Sequence, residues 1–350
     1  MDMLLYNEVV KQTLNLLHLH KDEWETRYNG YLTKIKKNEN KQVKFETPVK
    51  KPLFVYTTVS NETKTNPKWY LRFMGQNVGI LLKKDNEILL CLRQKDYDNN
   101  RDAFKDDTFD IEPGDYRWDD CPEAIKFRDF FKNYGGKKHK KNHEHTVESA
   151  FLSDLEKKKG KNKKLKGIQP VEIRKKRFQM PTPLKASNLY KVTSKELLSL
   201  DDYFKYAAQY GGGIDILARR RNKKQSVTQS FITVIELKDK HDKKEPPEKV
   251  MYQAIAYATF IHELIRSNAA DGIGWYNLFL DNKKRKIPDE LVIKCVVAMP
   301  GLNVVALDKE LGKNNLNVLM PFNNSKDKLE LLFINLDDKT YGVKDYSEKL

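Results

Sequence analysis

Cysteine is scarce in this chain: Cys91, Cys121 and Cys295 are the only three in 350 residues, and they lie far apart. An odd, dispersed set excludes a disulfide framework and a zinc knuckle, and it fits reduced thiols in a cytoplasm. Long apolar runs are also missing. None approaches the ~20 residues that span a bilayer, so no membrane crossing is expected. The opening stretch MDMLLYNEVVKQTLNLLHLHKDEW lacks a basic start and a small-residue cleavage site, so it does not read as a signal peptide. No basic amphipathic helix with bulky apolar anchors stands out, so a membrane surface is not an expected partner. Internal repeats are absent.

Positive charge, by contrast, is abundant. Lys and Arg number 65 against 49 Asp and Glu, a net charge of +16. Solubility needs far less, and a surplus of that size favours partners dense in phosphate. The length fits two domains. The N-terminal part, 1–135, reads as a β-rich α+β domain for recognising substrate or partner. A helix opens it, WYLRFMGQNVGILLKKDNEILLCLRQK forms a meander turning near Gly75 and at Asp85-Asn86, and CPEAIKFRDFFKNY closes it as a helix. The break falls in NYGGKKHKKNHEH.

The second part, 136–350, predicts an α/β layered sheet. TVESAFLSDLEKKKG reads as a helix with Thr146 as N-cap, and GIQPVEIRKKRFQM as a strand. SKELLSLDDYFKYAAQY has a helical pattern. Two strands follow in GGGIDILARRRNKKQSVTQSFITVIELKDK, then a helix begun by prolines, PPEKVMYQAIAYATFIHELIRS. DELVIKCVVAMPG and KLELLFINLDD are the last strands.

The chemistry concentrates in the two central strands. Each carries an acid that a buried strand normally refuses: Asp215 in GIDIL and Glu236 in FITVIELK. Burying either carboxylate alone costs several kcal/mol. A hard divalent cation is the natural compensation, since Mg²⁺ takes one or two carboxylates plus water and phosphate oxygens. Residues two apart on a strand share a face, so Glu236 and Lys238 project together while Leu237 turns the other way. Gln253 and Tyr257, four apart, share one helix face bordering an apolar stripe. Glu148 lies on a face with Leu152 and Leu155, which makes it a further candidate for the metal.

Asp215, Glu236-Leu237-Lys238, the Gln253/Tyr257 helix and Glu148 on a preceding helix together resemble the PD-(D/E)xK nuclease superfamily. The likeness covers roughly 140–300, with Ile214 standing where the family name has proline. It implies a restriction-endonuclease-like mixed sheet flanked by helices. It also implies an Mg²⁺- or Mn²⁺-dependent phosphodiester hydrolase, acting on DNA ahead of RNA. Asp215, Glu236 and the Leu237 carbonyl would hold the metal, with Glu148 assisting, and Lys238 would orient or activate water. The Gln/Tyr pair resembles the RecB-like subgroup, where it supports the site. Restriction or defence and repair are both open as settings, and so is a homodimer, because many nucleases of this fold cut duplexes as dimers.

Blander readings stand beside each of these. E-x-K triplets arise by chance in a lysine-rich chain, and Glu172 with Arg174 forms a rival pair on another strand. An RNA nuclease on the same site, or a basic nucleic-acid binder without catalysis, would use many of the same residues. Arg219, Arg220, Arg221, Lys223 and Lys224 between the strands, with Lys163, Lys164 and Arg174, are the candidate phosphate contacts. His139, His143 and His145 would need a fourth ligand to hold zinc, so contact with phosphate or a solvated surface is the expectation there.

Overall fold

A computed structural model describes residues 3–42, 49, 51–104, 109–134, 143–156, 165, 167–186, 189–191, 204–209, 211–222, 229–239, 245–281, 284–313, 326–348 and 350. The chain begins with α1 (Met3–Leu19), α2 (Lys21–Gln42), β1 (Phe54–Thr58), α3 (Val59–Glu62), β2 (Lys68–Phe73), β3 (Gln76–Lys84), β4 (Glu87–Leu92), α4 (Gln94–Phe104) and β5 (Gly114–Arg117). It continues through α5 (Pro122–Asn133), α6 (His143–Glu156), β6 (Ile168–Pro170), β7 (Glu172–Ile173), β8 (Lys176–Gln179), β9 (Pro181–Thr182), β10 (Leu184–Lys185), β11 (Lys205–Tyr206) and β12 (Gly212–Gly213). It ends with β13 (Ile216–Asn222), β14 (Gln229–Leu237), α7 (Pro247–Arg266), α8 (Gly272–Phe279), β15 (Val292–Pro300), α9 (Val304–Lys313), β16 (Lys328–Leu336) and β17 (Val343–Tyr346). Among the described residues, no helix is long and apolar enough to cross a membrane.

The chain is a mixed α/β protein, and its contacts divide it into two units that interleave along the sequence. One comprises 1–32, 150–171 and 179–350; the other comprises 33–149 and 172–178. The expected contiguous break after residue 135 is therefore not how the contacts fall. Aromatic packing is the physical reason at the N-terminus. Trp24 and Tyr28 meet Phe260 edge-on or tilted at 5.9 and 5.0 Å, Tyr28 also meets Trp275, and Tyr6 meets Tyr252. These rings tie α1 and the start of α2 to α7 and α8.

In the first unit the six-stranded sheet has the order β17-β16-β15-β14-β13-β6. β14, β15 and β16 run parallel, joined by crossovers that carry α7 with α8 and then α9. β13, β6 and β17 pair antiparallel at the flanks. The central strands are buried along almost their whole length, as parallel strands covered on both faces must be. α7 starts at Pro247, where a missing N–H costs nothing.

The second unit holds a seven-stranded sheet, β5-β4-β3-β2-β1-β8-β7. Its meander turns at Met74-Gly75 and at Asp85, where positive φ angles make the tight reversals. Trp69, Leu71, Phe73, Leu81 and Leu90 pack against Phe109, Phe127 and Phe131. Glu62 is buried beside this core, accepting hydrogen bonds from Thr57 and the Trp69 indole, with the Lys176 ammonium at 3.8 Å.

Three element predictions need correction. GIQPVEIRKKRFQM is not one strand: β6 joins the first sheet, while β7 and β8 form a hairpin in the second. Arg174 and Lys175, at φ 51° and 62°, make the turn that separates them. The helical pattern over 194–210 falls largely outside the described residues. Its end forms β11 instead, paired with β10, and Tyr206 stacks on His20 at 3.9 Å. α6 begins at His143, so Thr146 lies inside its first turn and does not cap it.

A buried polar clamp ties α7 to the entrance of β16. Asp327 meets His262 at 2.8 Å and accepts from Arg266 through both oxygens, at 2.7 and 2.5 Å, and from the Leu291 amide at 2.8 Å. Burial opposes ionisation of Asp327, but these hydrogen bonds outweigh it and hold the carboxyl well below the usual carboxylate range. A depressed folded-state pKa stabilises the fold above the unfolded value, and that contribution is lost as pH falls toward the folded one. The unfolding free-energy gap between wild type and Asp327→Asn should therefore be full near neutrality and shrink below about pH 4. Denaturant unfolding across pH checks this, and a gap that stays constant down to pH 2 would contradict it.

Candidate functional site

The site grows out of the glycine-rich approach to β13. Gly212 and Gly213 form β12 and pair with Thr182 and Pro181, while the Ile214 amide donates to the Met180 carbonyl at 2.9 Å. Both neighbours of this turn come very close. A Cβ on Gly211 would strike the backbone of Leu184, and one on Gly212 would overlap the Tyr257 hydroxyl. The run of glycines thus lets the chain pass between β10 and α7 before it bends at Asp215 into β13.

β13 and β14 then pair antiparallel from Ile216↔Ile235 out to Asn222↔Gln229. The paired register stops at Ile216↔Ile235; Asp215 lies in the bend just before β13, and Glu236 is the next residue along β14. The Leu237 amide donates to Asp215 Oδ2 at 2.8 Å, so the aspartate side chain takes over where the ladder ends. Glu236 is 0% exposed and Asp215 is half-buried.

Lys238 follows with its backbone still in the ladder, since its amide donates to the Ala298 carbonyl at 3.1 Å. Its ammonium lies 3.2 Å from Glu245, and both side chains are nearly buried. Sequence reasoning passed over Glu245; an acid directly before the Pro246-Pro247 helix start was the available signal. On α7, Gln253 is half-buried amid a helix whose other residues from Val250 to Ile265 are almost all buried. Tyr257 is 1% exposed, and its hydroxyl abuts Gly212, so it braces the approach to Asp215.

The remaining candidates are placed elsewhere. Glu148 belongs to the second unit, where Arg72 pairs with it at 2.9 Å and His145 lies at 3.5 Å. A guanidinium already balances that carboxylate, which leaves it poorly suited to assist a metal. Arg174 sits at the β7–β8 turn with its guanidinium 4.0 Å from Glu62, and Glu172 is exposed on β7. Arg219 reaches Gln169, the Phe279 carbonyl and Asp281, with only 11% of its side chain exposed. Arg220 is half-buried near Tyr346 and Glu330. Arg221 lies opposite Ser230 in the ladder. Lys163, Lys164, Lys223, Lys224 and His139 fall outside the described residues, as do the side chains of Arg221 and His143.

Thiol chemistry is disfavoured. Burial and the contact with Asp115 push Cys91 up to about 11, the hydrogen bond to Glu123 raises Cys121, and burial raises Cys295. Proton-holding partners of this kind leave little thiolate near neutrality.

The donor set at the strand pair fits a hard divalent cation. Mg²⁺ needs only one or two carboxylates, keeps several waters and binds at about 2.1 Å; Asp215, held to the Leu237 amide, and the adjacent Glu236 supply that number. Among the described residues, no group of three or more His, Cys, Asp or Glu gathers as a metal cage. Comparison of the chain with protein-family models, curated proteins and solved structures gives no match.

The Gly212–Tyr257 contact makes its own prediction. Gly212→Ala should cost about 1–3 kcal/mol from overpacking. In a Tyr257→Phe background the same change should cost less, because the overlapping hydroxyl is gone. Chemical denaturation of the four variants checks this, and equal costs in both backgrounds would contradict the contact.

Proposed function

We propose that this chain is a divalent-metal-dependent nuclease that hydrolyses phosphodiester bonds, with DNA as its substrate. The observation that carries the reading is the approach of Asp215 to the end of β14, where its carboxylate accepts from the Leu237 amide next to the buried Glu236, with Lys238 two residues further along the chain. The order of elements around it supports the reading: an antiparallel pair, a helix bearing Gln253, then a parallel strand. So does the net charge of +16, which suits a polyphosphate partner.

Asp215, Glu236 and the Leu237 carbonyl would hold Mg²⁺ or Mn²⁺, which when bound supplies Lewis acidity at phosphorus and acidifies an attacking water. The chain's own groups do the rest. Glu236, shielded from solvent on β14, would offer its carboxylate to the metal. Asp215 is oriented by the Leu237 amide, so one strand's side chain is aligned by the other's backbone. Lys238 presents positive charge beside the attacked phosphate, where charge accumulates as the water's P–O bond forms and the ester P–O bond breaks. Gln253, half-buried on α7, would contact water or the nucleic-acid strand. Nothing among these residues reads a 2′-hydroxyl, and the choice of DNA over RNA follows the family resemblance.

Purified protein incubated with circular and linear DNA in Mg²⁺ or Mn²⁺ should nick or degrade it. Asp215→Ala, Glu236→Ala and Lys238→Ala should each lower the rate by about a hundredfold or more without unfolding the protein. Wild type inert on single-stranded, duplex and branched DNA in both metals would overturn the reading. Cleavage of a matched RNA alone would move the substrate to RNA.

A further inference from the structure

Lys238 is an unusual place for an ammonium. Its side chain is 11% exposed, and it follows a strand whose preceding in-register acid, Glu236, is fully buried. Residues two apart on an extended segment project to the same side, and the amide of Lys238 still bonds Ala298 in the β14–β15 ladder. The backbone is therefore pinned, while four rotatable bonds separate it from Nζ. Something must choose among the positions those bonds allow.

Glu245 is that constraint. Its Oε2 lies 3.2 Å from Lys238 Nζ, and its side chain is 7% exposed. Its own backbone is unusually restricted, because it precedes Pro246, which confines it to extended conformations, and Pro246 and Pro247 each fix φ near −65°. Pro246 then caps α7, its carbonyl accepting from the Lys249 and Val250 amides. Glu245 thus stands on a stiff post at the start of a 20-residue helix packed on the sheet. An acid there also favours the helix N-terminus.

We propose that Glu245 is a positioning residue that holds the Lys238 ammonium beside the Asp215–Glu236 pair. The proposal rests on the nuclease reading of that site. Glu245 touches neither substrate nor metal; it acts through Lys238.

The test is a double-mutant cycle read in two ways. In steady-state cleavage of labelled DNA, Glu245→Gln should lower kcat about tenfold to a hundredfold, with KM and the Mg²⁺ concentration for half-activity unchanged. Glu245→Asp should restore part of the loss. In a Lys238→Met background, Glu245→Gln should add nothing further. In metal-free crystals of Glu245→Gln, the Lys238 side chain should leave the position it holds in wild type. A raised Mg²⁺ requirement would make Glu245 a ligand instead, and equal losses in both backgrounds would give it an independent role. Either result, or an unmoved Lys238, overturns the proposal. Active wild type with a fully active Glu245→Gln removes only the role of Glu245, whereas inert wild type removes the nuclease reading and this role with it.

Discussion

Glu236 is sealed from solvent inside a sheet, and a second carboxylate, Asp215, meets the same strand at the next residue, Leu237. Two carboxylates brought this near would repel each other, and moving even one out of water costs several kcal/mol unless it is compensated. The surrounding structure holds them there nevertheless. Seven register pairs from Ile216↔Ile235 to Asn222↔Gln229 lock the two strands together. The parallel ladder from Ile232↔Ile293 to Leu237↔Ala298 locks β14 to the next strand. The Leu237 amide binds the Asp215 carboxylate, and Tyr257 wedges against Gly212 where the chain enters. Buried acids held by this much scaffolding are frequent at functional sites.

Much of this was legible in the sequence. Alternation and apolar runs placed β13, β14, β15 and β16. The double proline placed the start of α7, and the four-residue spacing of Gln253 and Tyr257 put them on one helix face. The acids at 215 and 236 stood out because their surroundings were otherwise apolar. The fate of Tyr257 was less visible, since its phenol turns inward against a glycine that only a folded chain brings near it.

What the sequence could not show came from long-range pairing. The hairpin at Arg174-Lys175 sends β7 and β8 to one sheet while β6, only a residue away, stays in the other. Period-2 alternation is blind to such a switch. The grouping of α1 with α7 depends on Trp24, Tyr28 and Phe260 meeting across more than 230 residues. Glu148 looked available until Arg72, 76 residues upstream, proved to be its partner. Arg174 and Arg219 likewise serve internal ion pairs and hydrogen bonds. Net charge therefore overstates how many cations face outward, and the nucleic-acid reading leans on the acid pair and its lysine more than on the arginine count.

The shared ion is the claim on which the functional account stands, and diffraction reaches it most directly. Crystals soaked in Mn²⁺ and measured at the manganese edge should show an anomalous peak about 2.1 Å from carboxylate oxygens of both Asp215 and Glu236. The peak should vanish in Glu236→Ala crystals treated in the same way. Wild-type crystals with no peak between those two residues, or with manganese bound only elsewhere, would contradict the account.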